Sequence, residues 1–210
     1  AYFEACETGH AERLMPMIAK AMREAAVDFA DLDRIAVTRG PGGFTGLRVG
    51  MSAAKAFALA AAKPLVTLGS LELLAMTAGA KIQNALSVDV LAVAVDARKD
   101  AIYLQFFNAR DLTPLMEPVL ASVAGGVEQC QDHLDAGRRL LIVGSGNALI
   151  RAALHDSEAT AVFDDLQGDA RHLAAVAAVA ADLTPACETR PLYLRSADAK
   201  PQSGKSLPRA

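Results

Sequence analysis

The alternation of apolar and polar positions divides the first part of the chain into a regular series of elements. Apolar residues at helical spacing predict helices over residues 8–27, 45–62 and 70–83. Short apolar runs predict buried strands at 34–38 and 64–68, between those helices. This order of helices and strands is typical of an α/β unit.

The second part of the chain carries a similar series, preceded by further strands. Strands are predicted at 89–96 and 101–108, which form a hairpin, and at 115–120, 139–143 and 161–163. Helices are predicted at 124–134, from 147 onwards and at 169–183. The two parts match in pattern and not residue by residue. The sequence therefore predicts an α/β fold with two similar lobes, residues 1–86 and 87–195, the first lacking its opening strands. We expect the chain to begin inside a longer parent, and the polar residues 196–210 predict a disordered tail.

The helix predicted at 45–62 is apolar on nearly all sides. Between Leu47 and Ala62 its only polar side chains are one thin stripe, Arg48, Ser52 and Lys55. The helix at 8–27 also has two adjacent apolar stripes, and so wide an apolar arc is normally buried on most sides. We infer that both helices pack outward against another protein chain, with an Ala-rich helix facing solvent as the alternative. The residues predicted to line this interface are Met15, Met22, Met51, Ala54 and Lys55.

A glycine-rich turn separates the strand at 34–38 from the following helix. A strand, a glycine turn and a helix in this order point free backbone N–H groups at an anion. The segment is neither a Walker sequence nor a dinucleotide fingerprint, because no Lys-Ser/Thr follows the glycines and G-x-G-x-x-G is absent. A purely structural turn that needs positive φ and close backbone approach is the alternative. The candidate anion site consists of Gly40, Gly42, Gly43, Thr45 and Gly46.

The sequence is poor in catalytic groups. Its four histidines form no H-x-x-x-H or H-E-x-x-H pair, and Ser145 in Gly-Ser-Gly does not match a nucleophile elbow. Asp96 precedes a predicted hairpin turn where a carboxylate could hold a metal–nucleotide, but charged residues are ordinary in exposed turns. The three cysteines are far apart and lack zinc spacing. We therefore expect no catalytic residue, no metal and no cofactor.

Composition narrows the class of protein further. The chain has 210 residues, of which 52% are hydrophobic, enough for a packed core and too many for a disordered chain. No uncharged apolar run reaches the roughly 18–20 residues that span a bilayer, and no signal peptide is recognisable. Together with the unpaired cysteines, these features predict a cytoplasmic protein with reduced thiols. The formal net charge of -3 argues against binding to nucleic acid by this chain alone.

The segment Gly40-Pro-Gly-Gly-Phe-Thr-Gly-Leu-Arg48 resembles the bacterial TsaB family, also called YeaZ. Members of that family carry Gly-Pro-Gly-Ser-Phe-Thr-Gly-[Leu/Val/Ile]-Arg between a strand and a helix, so that Gly43 stands where Ser is usual. The family's opening strand and turn are missing here. The resemblance also covers Gly9-His-Ala-Glu-Arg-Leu-Met-Pro16, Lys55, Pro64, Ser70-Leu-Glu72, Asp96-Ala-Arg98 and Pro191-Leu-Tyr-Leu-Arg195.

This resemblance implies two actin-like ATPase (ribonuclease H-like) lobes and a role in making threonylcarbamoyladenosine at position 37 of tRNA. The family member is a non-catalytic paralogue of the TsaD-type enzyme, which it binds through the first two helices of its N-terminal lobe and activates. A TsaE-type ATPase joins the complex, and tRNA is reached only through the complex. The His-x-Glu-x-His-like metal motif of the TsaD-type enzyme corresponds here to Ser70-Leu-Glu-Leu-Leu74, so that non-ligating residues stand at both histidine positions.

Three further expectations stay open at this point. The apolar helices predict that the chain can form a homodimer when its partner is absent. A stand-alone ATP-binding enzyme of the actin-like superfamily is the first alternative function. A metallopeptidase-like hydrolase is the second.

Overall fold

The computed structural model describes residues 1–5, 9–82, 87–154, 160–163, 166–181 and 185–195. The helices are α1 (His10–Ala25), α2 (Phe44–Ala60), α3 (Ser70–Ile82), α4 (Val123–Asp135), α5 (Asn147–Arg151) and α6 (Ala170–Val179). The strands are β1 (Ile35–Thr38), β2 (Leu65–Leu68), β3 (Val90–Asp96), β4 (Ala101–Asn108), β5 (Val119–Ser122), β6 (Leu140–Val143) and β7 (Thr160–Phe163). The predicted α/β fold class is confirmed, and the predicted tail at 196–210 lies outside the described residues.

The first sheet consists of β1 and β2, which pair in parallel. Both α2 and α6 pack on β1, and α1 packs on α2. A small apolar core forms where Ala54 and Ala58 of α2 meet Leu65 of β2, with Ile35 and Val37 of β1 packed against it. This sheet therefore holds α2 and the turn that precedes it in place.

The second sheet has the strand order β5-β4-β3-β6-β7. Its central strand β3 pairs antiparallel with β4 and parallel with β6, which confirms the predicted hairpin. Successive side chains of a strand point to opposite faces. Leu91 and Val93 accordingly belong to the core on the α3 side, whereas Ala92 belongs to the core that contains Cys130 of α4 and Ile150 of α5.

Two helices pack across the division predicted at residue 86. α3 precedes that division, yet its buried side chains join the core of the second sheet. α6 comes near the end of the described chain, yet it packs on β1 and β2. The Arg34 guanidinium fixes it there by donating to the carbonyl oxygens of Ala177 and Ala180 at 2.7 and 3.0 Å. The division of the chain into lobes at residue 86 stays a prediction. In the structure, α3 and α6 each pack on the sheet that lies on the other side of this division.

The third predicted strand and the last predicted helix differ most from the structure. The sequence predicts a strand at 115–120, but the ladder of β5 begins at Val119, because Pro118 has no N–H group to donate. The sequence predicts that the last helix extends to residue 183, but α6 ends at Val179 because the backbone of Ala180 is extended.

Candidate functional site

The glycine turn joins β1 to the start of α2. Gly40 has a φ of +102°, a conformation that favours glycine, and its carbonyl oxygen accepts the N–H of Ser70 at 2.9 Å. A Cβ on Gly40 would lie 2.9 Å from the carbonyl oxygen of Leu192, whose N–H donates to the carbonyl oxygen of Arg39 at 2.7 Å. Both features that a structural glycine turn requires are therefore present at Gly40.

The first turn of α2 leaves backbone donors without an acceptor inside the helix. No side chain in the described part of the chain caps this turn, and Leu47 is the first residue whose N–H reaches an intrahelical carbonyl, that of Gly43. The space around Gly42 and Gly43 is open. The geometry fits both an anion-binding turn and a purely structural one. Anion binding at Gly40, Gly42, Gly43, Thr45 and Gly46 stays a prediction.

An aromatic and arginine cluster lies beside this turn. The Arg48 guanidinium lies 3.7 Å from the centre of the Phe44 ring, and its Nε donates to the Tyr193 hydroxyl at 2.9 Å. The two rings are 5.6 Å apart and nearly half exposed. A cation over an exposed aromatic ring stabilises by about 0.5–1 kcal/mol. No local sequence signal predicts this cluster, because Tyr193 and Arg48 are 145 positions apart.

Helix α1 lies on the surface with none of its residues fully buried. It rests on α2 where that helix has small residues: a Cβ on Gly46 would lie 3.5 Å from the His10 ring. Of the two predicted interface residues in α1, Met15 is 49% exposed and Met22 is half-buried. One apolar stripe of α1 therefore faces away from the protein.

Two interface residues predicted in α2 are placed in the core. Met51 is only 3% exposed and Ala54 only 8%, so neither side chain is available to a partner in this structure. Lys55 is half-buried. The exposed polar residues Arg48 and Ser52 mark the outward face of α2. Ala54 lies roughly 120–160° around the helix from both of them, so this polar stripe would have excluded it from the outward face.

The C-terminal end of α2 lies beside an apolar cavity. Leu59, on the outward face of α2 near that end, is 67% exposed. The rings of Phe29 and Phe57 stack 4.5 Å apart and line an open cavity of about 510 Å³ together with Ala30, Ala60 and Ala61. No local sequence signal predicted this cavity, because its two aromatic rings come from different elements.

The carboxylates considered in the sequence analysis are engaged with backbone groups. Glu72 accepts the N–H of Gly69 at 2.7 Å, so it closes the start of α3. Asp96 accepts the N–H of Arg98 at 2.7 Å in the hairpin turn. Within the described ranges, no group of three or more His, Cys, Asp or Glu side chains is arranged to hold a metal ion.

Two other groups have a shifted pKa for reasons of burial and pairing. Burial raises the pKa of the Cys130 thiol to about 12, which makes it a poor nucleophile. Hydrogen bonds from Arg171 lower the pKa of Asp169 to about 2, where its carboxylate caps α6. Neither group lies at the glycine turn or on the exposed stripe of α1.

None of the helices in the described ranges is long and apolar enough to cross a membrane.

Known proteins match the chain in sequence. The sequence model of TsaD, tRNA N6-adenosine threonylcarbamoyltransferase, matches residues 4–183. A tRNA threonylcarbamoyladenosine biosynthesis protein TsaB of Escherichia coli is 37% identical over 103 residues, which are 49% of this chain and 43% of that protein. A tRNA N6-adenosine threonylcarbamoyltransferase of Erythrobacter litoralis is 55% identical over 69 residues, which are 33% of this chain and 20% of that protein. The matched part thus spans less than half of either relative.

Solved structures match the fold over a larger share. A structure described as YeaZ from Pseudomonas aeruginosa superimposes with a TM-score of 0.77 at 25% identity, covering 92% of this chain and 88% of that one. A second Pseudomonas aeruginosa structure, described as similar to peptidase YEAZ, has a TM-score of 0.74 at 22% identity. These matches confirm the resemblance to TsaB/YeaZ proteins and the predicted fold class.

Proposed function

Because the chain belongs to the TsaD family and resembles its TsaB/YeaZ members, we propose that it is a non-catalytic subunit in tRNA threonylcarbamoyladenosine biosynthesis. In this proposal it binds and activates a TsaD-type enzyme that modifies adenosine 37. A TsaE-type ATPase joins the complex, and tRNA is contacted through the partners. The complex acts in the cytoplasm.

The observation that carries this proposal is the exposed apolar stripe of α1. Met15 is 49% exposed and neighbouring Ala11 and Ala19 are exposed as well, although α1 has a strong division into apolar and polar sides. An amphipathic helix with none of its residues fully buried gains little stability from its own chain. A partner covering this stripe removes apolar surface from water at about 25 cal/mol per Å².

The burial of residues on α2 changes the set of residues proposed for the interface. Met51 and Ala54 drop out because they are buried, and Leu59 joins because it is exposed. The proposed interface therefore consists of Met15 and half-buried Met22 on α1, with half-buried Lys55 and exposed Leu59 on α2. We propose that the same face also allows the chain to form a homodimer when the TsaD-type partner is absent.

The engagement of Glu72 supports the non-catalytic part of the proposal. A metal site needs several ligands, and Glu72 is flanked by Ser70 and by buried Leu74 while its own carboxylate closes a helix start. We expect purified protein to contain neither zinc nor iron and to show no turnover of ATP alone. Metal analysis and calorimetry with ATP and magnesium test these points. Turnover by this chain alone would favour the stand-alone enzyme instead.

The central experiment measures binding of the purified chain to the TsaD-type protein of the same organism by calorimetry. We expect Met15→Glu to weaken binding at least tenfold, about 1.4 kcal/mol, because it places a charge in the apolar interface. Leu149→Glu on α5 is the matched control, since Leu149 is 41% exposed on the second lobe and its variant should bind normally. Absence of binding by the unmodified chain at micromolar concentration would overturn the function. Normal binding by Met15→Glu would overturn the interface alone.

A further inference from the structure

Residues 191–195 connect the glycine turn of the first lobe to the hairpin turn of the second. The chain before them is anchored in the first lobe, where Ala186 is part of the small core beside α2. These five residues belong to neither a helix nor a strand, so their position depends on the contacts that they make at each end. We call them the strap.

The first end of the strap is held at the start of α2. Leu192 donates its N–H to the carbonyl oxygen of Arg39 at 2.7 Å. The Tyr193 hydroxyl accepts from Arg48 Nε at 2.9 Å, and the Tyr193 ring lies beside Phe44. Backbone and side chain both contribute, so this end of the strap fixes the glycine turn and the first turn of α2 together.

The second end of the strap is held at the hairpin turn of residues 96–100. Leu194 packs against the core between α3 and the second sheet. The Arg195 guanidinium donates to the carbonyl oxygen of Ala97 at 2.6 Å and to that of Arg98 at 3.3 Å. Hydrogen bonds from a charged donor are stronger than neutral ones.

The hairpin turn itself has a backbone that needs support. Arg98, Lys99 and Asp100 have φ values of 61°, 54° and 55°, a left-handed conformation that costs a non-glycine residue about 1–2 kcal/mol. Strain of this kind persists only where surrounding contacts hold it. The Arg195 guanidinium supplies two of those contacts, at the carbonyl groups that open the strained stretch.

We propose that the strap couples the start of α2 to the hairpin turn, so that loosening one end loosens the other. Each end has its own contacts, and only Leu194 separates Tyr193 from Arg195. An alternative in which each end acts locally predicts no effect at the opposite end. The proposal concerns the isolated chain and does not depend on any partner.

Hydrogen exchange of the full chain, read by mass spectrometry, tests the coupling with one mild variant at each end. Tyr193→Phe removes only the hydroxyl that meets Arg48, and Arg195→Met keeps the apolar stem but removes the donors. We expect each variant to raise exchange about fivefold at both segments, 39–48 and 96–100, which corresponds to the loss of one or two hydrogen bonds. Arg190→Met is the matched control, because Arg190 is exposed just before the strap, and it should leave both segments unchanged.

The remaining outcomes overturn the proposal. A rise confined to the segment that the variant itself touches shows two local contacts without coupling. Unchanged exchange at both segments shows that the strap fixes neither. A rise shared equally by the core strands β3 and β4 shows a general loss of stability, which is also inconsistent with a strap that links two turns.

Discussion

Replacing Gly144 by alanine measures how closely the turn after β6 packs on β3. Gly144 has a φ of +94°, and a Cβ there would lie 2.4 Å from the carbonyl oxygen of Ala94. Gly137 also has a positive φ, +72°, but nothing lies within 4 Å of its Cβ position. An alanine at position 137 therefore carries the backbone strain alone, whereas one at position 144 adds a collision with backbone.

The two contributions can be estimated separately. A left-handed backbone costs a non-glycine residue about 1–2 kcal/mol, and overpacking that forces the backbone to shift costs about 1–3 kcal/mol more. We expect the free energy of unfolding to fall by about 1–2 kcal/mol for Gly137→Ala and by about 2–5 kcal/mol for Gly144→Ala. The difference between the variants isolates the contact with Ala94.

Urea unfolding followed by far-ultraviolet circular dichroism suits this comparison, because the chain has no Trp to report by fluorescence. The dependence of the unfolding free energy on urea should be equal in both variants, so that the midpoints report stability. Equal losses for Gly144→Ala and Gly137→Ala would refute the close contact between the turn and β3.

Two further predictions concern the core and its response to pH. Thr77 is buried, and its hydroxyl accepts the N–H of Asp169 at 3.1 Å and donates to the Leu73 carbonyl oxygen. Thr77→Val should therefore lower the unfolding free energy by about 1–3 kcal/mol, and Thr77→Ser should lower it less in the same urea assay. A larger loss for Thr77→Ser would contradict the role of the hydroxyl. Burial lowers the pKa of His133, whose ring lies 4.5 Å from that of Phe106. The unfolded chain therefore binds this proton more readily, so stability should be full above about pH 6.5 and fall as the pH drops below it. Melting temperatures should fall less in His133→Gln over that range, and equal falls would argue against the assignment.

Most helices and strands could be predicted because their signals are local. Apolar spacing alone located α2 and β6, and the Gly/Pro-rich turn at residues 40–43 separated β1 from α2. The face of α2 was harder to assign, since nearly every side of that helix is apolar. The polar stripe of Arg48 and Ser52 indicates the outward direction of α2, but which of its many apolar residues become buried depends on β1 and β2, against which the helix packs.

The contacts that define the candidate sites could not be predicted, because they join distant parts of the chain. Tyr193 meets Arg48 across 145 positions, and Arg195 meets Ala97 across 98. Tyr193 and Arg195 were singled out only through the resemblance to TsaB/YeaZ proteins, which gave no reason for their presence. The structure supplies that reason as hydrogen bonds between two turns.

The packing of α6 on the first sheet has a consequence for synthesis of the protein. Arg34 cannot form its hydrogen bond to the carbonyl oxygen of Ala177 on α6 until Ala177, 143 residues later, has been synthesised. At roughly 5–20 residues per second, this interval lasts about 7–30 s during translation. The emerging strands β1 and β2 are left without α6 for that time, so a nascent chain of this protein offers chaperones an apolar surface until α6 has left the ribosome.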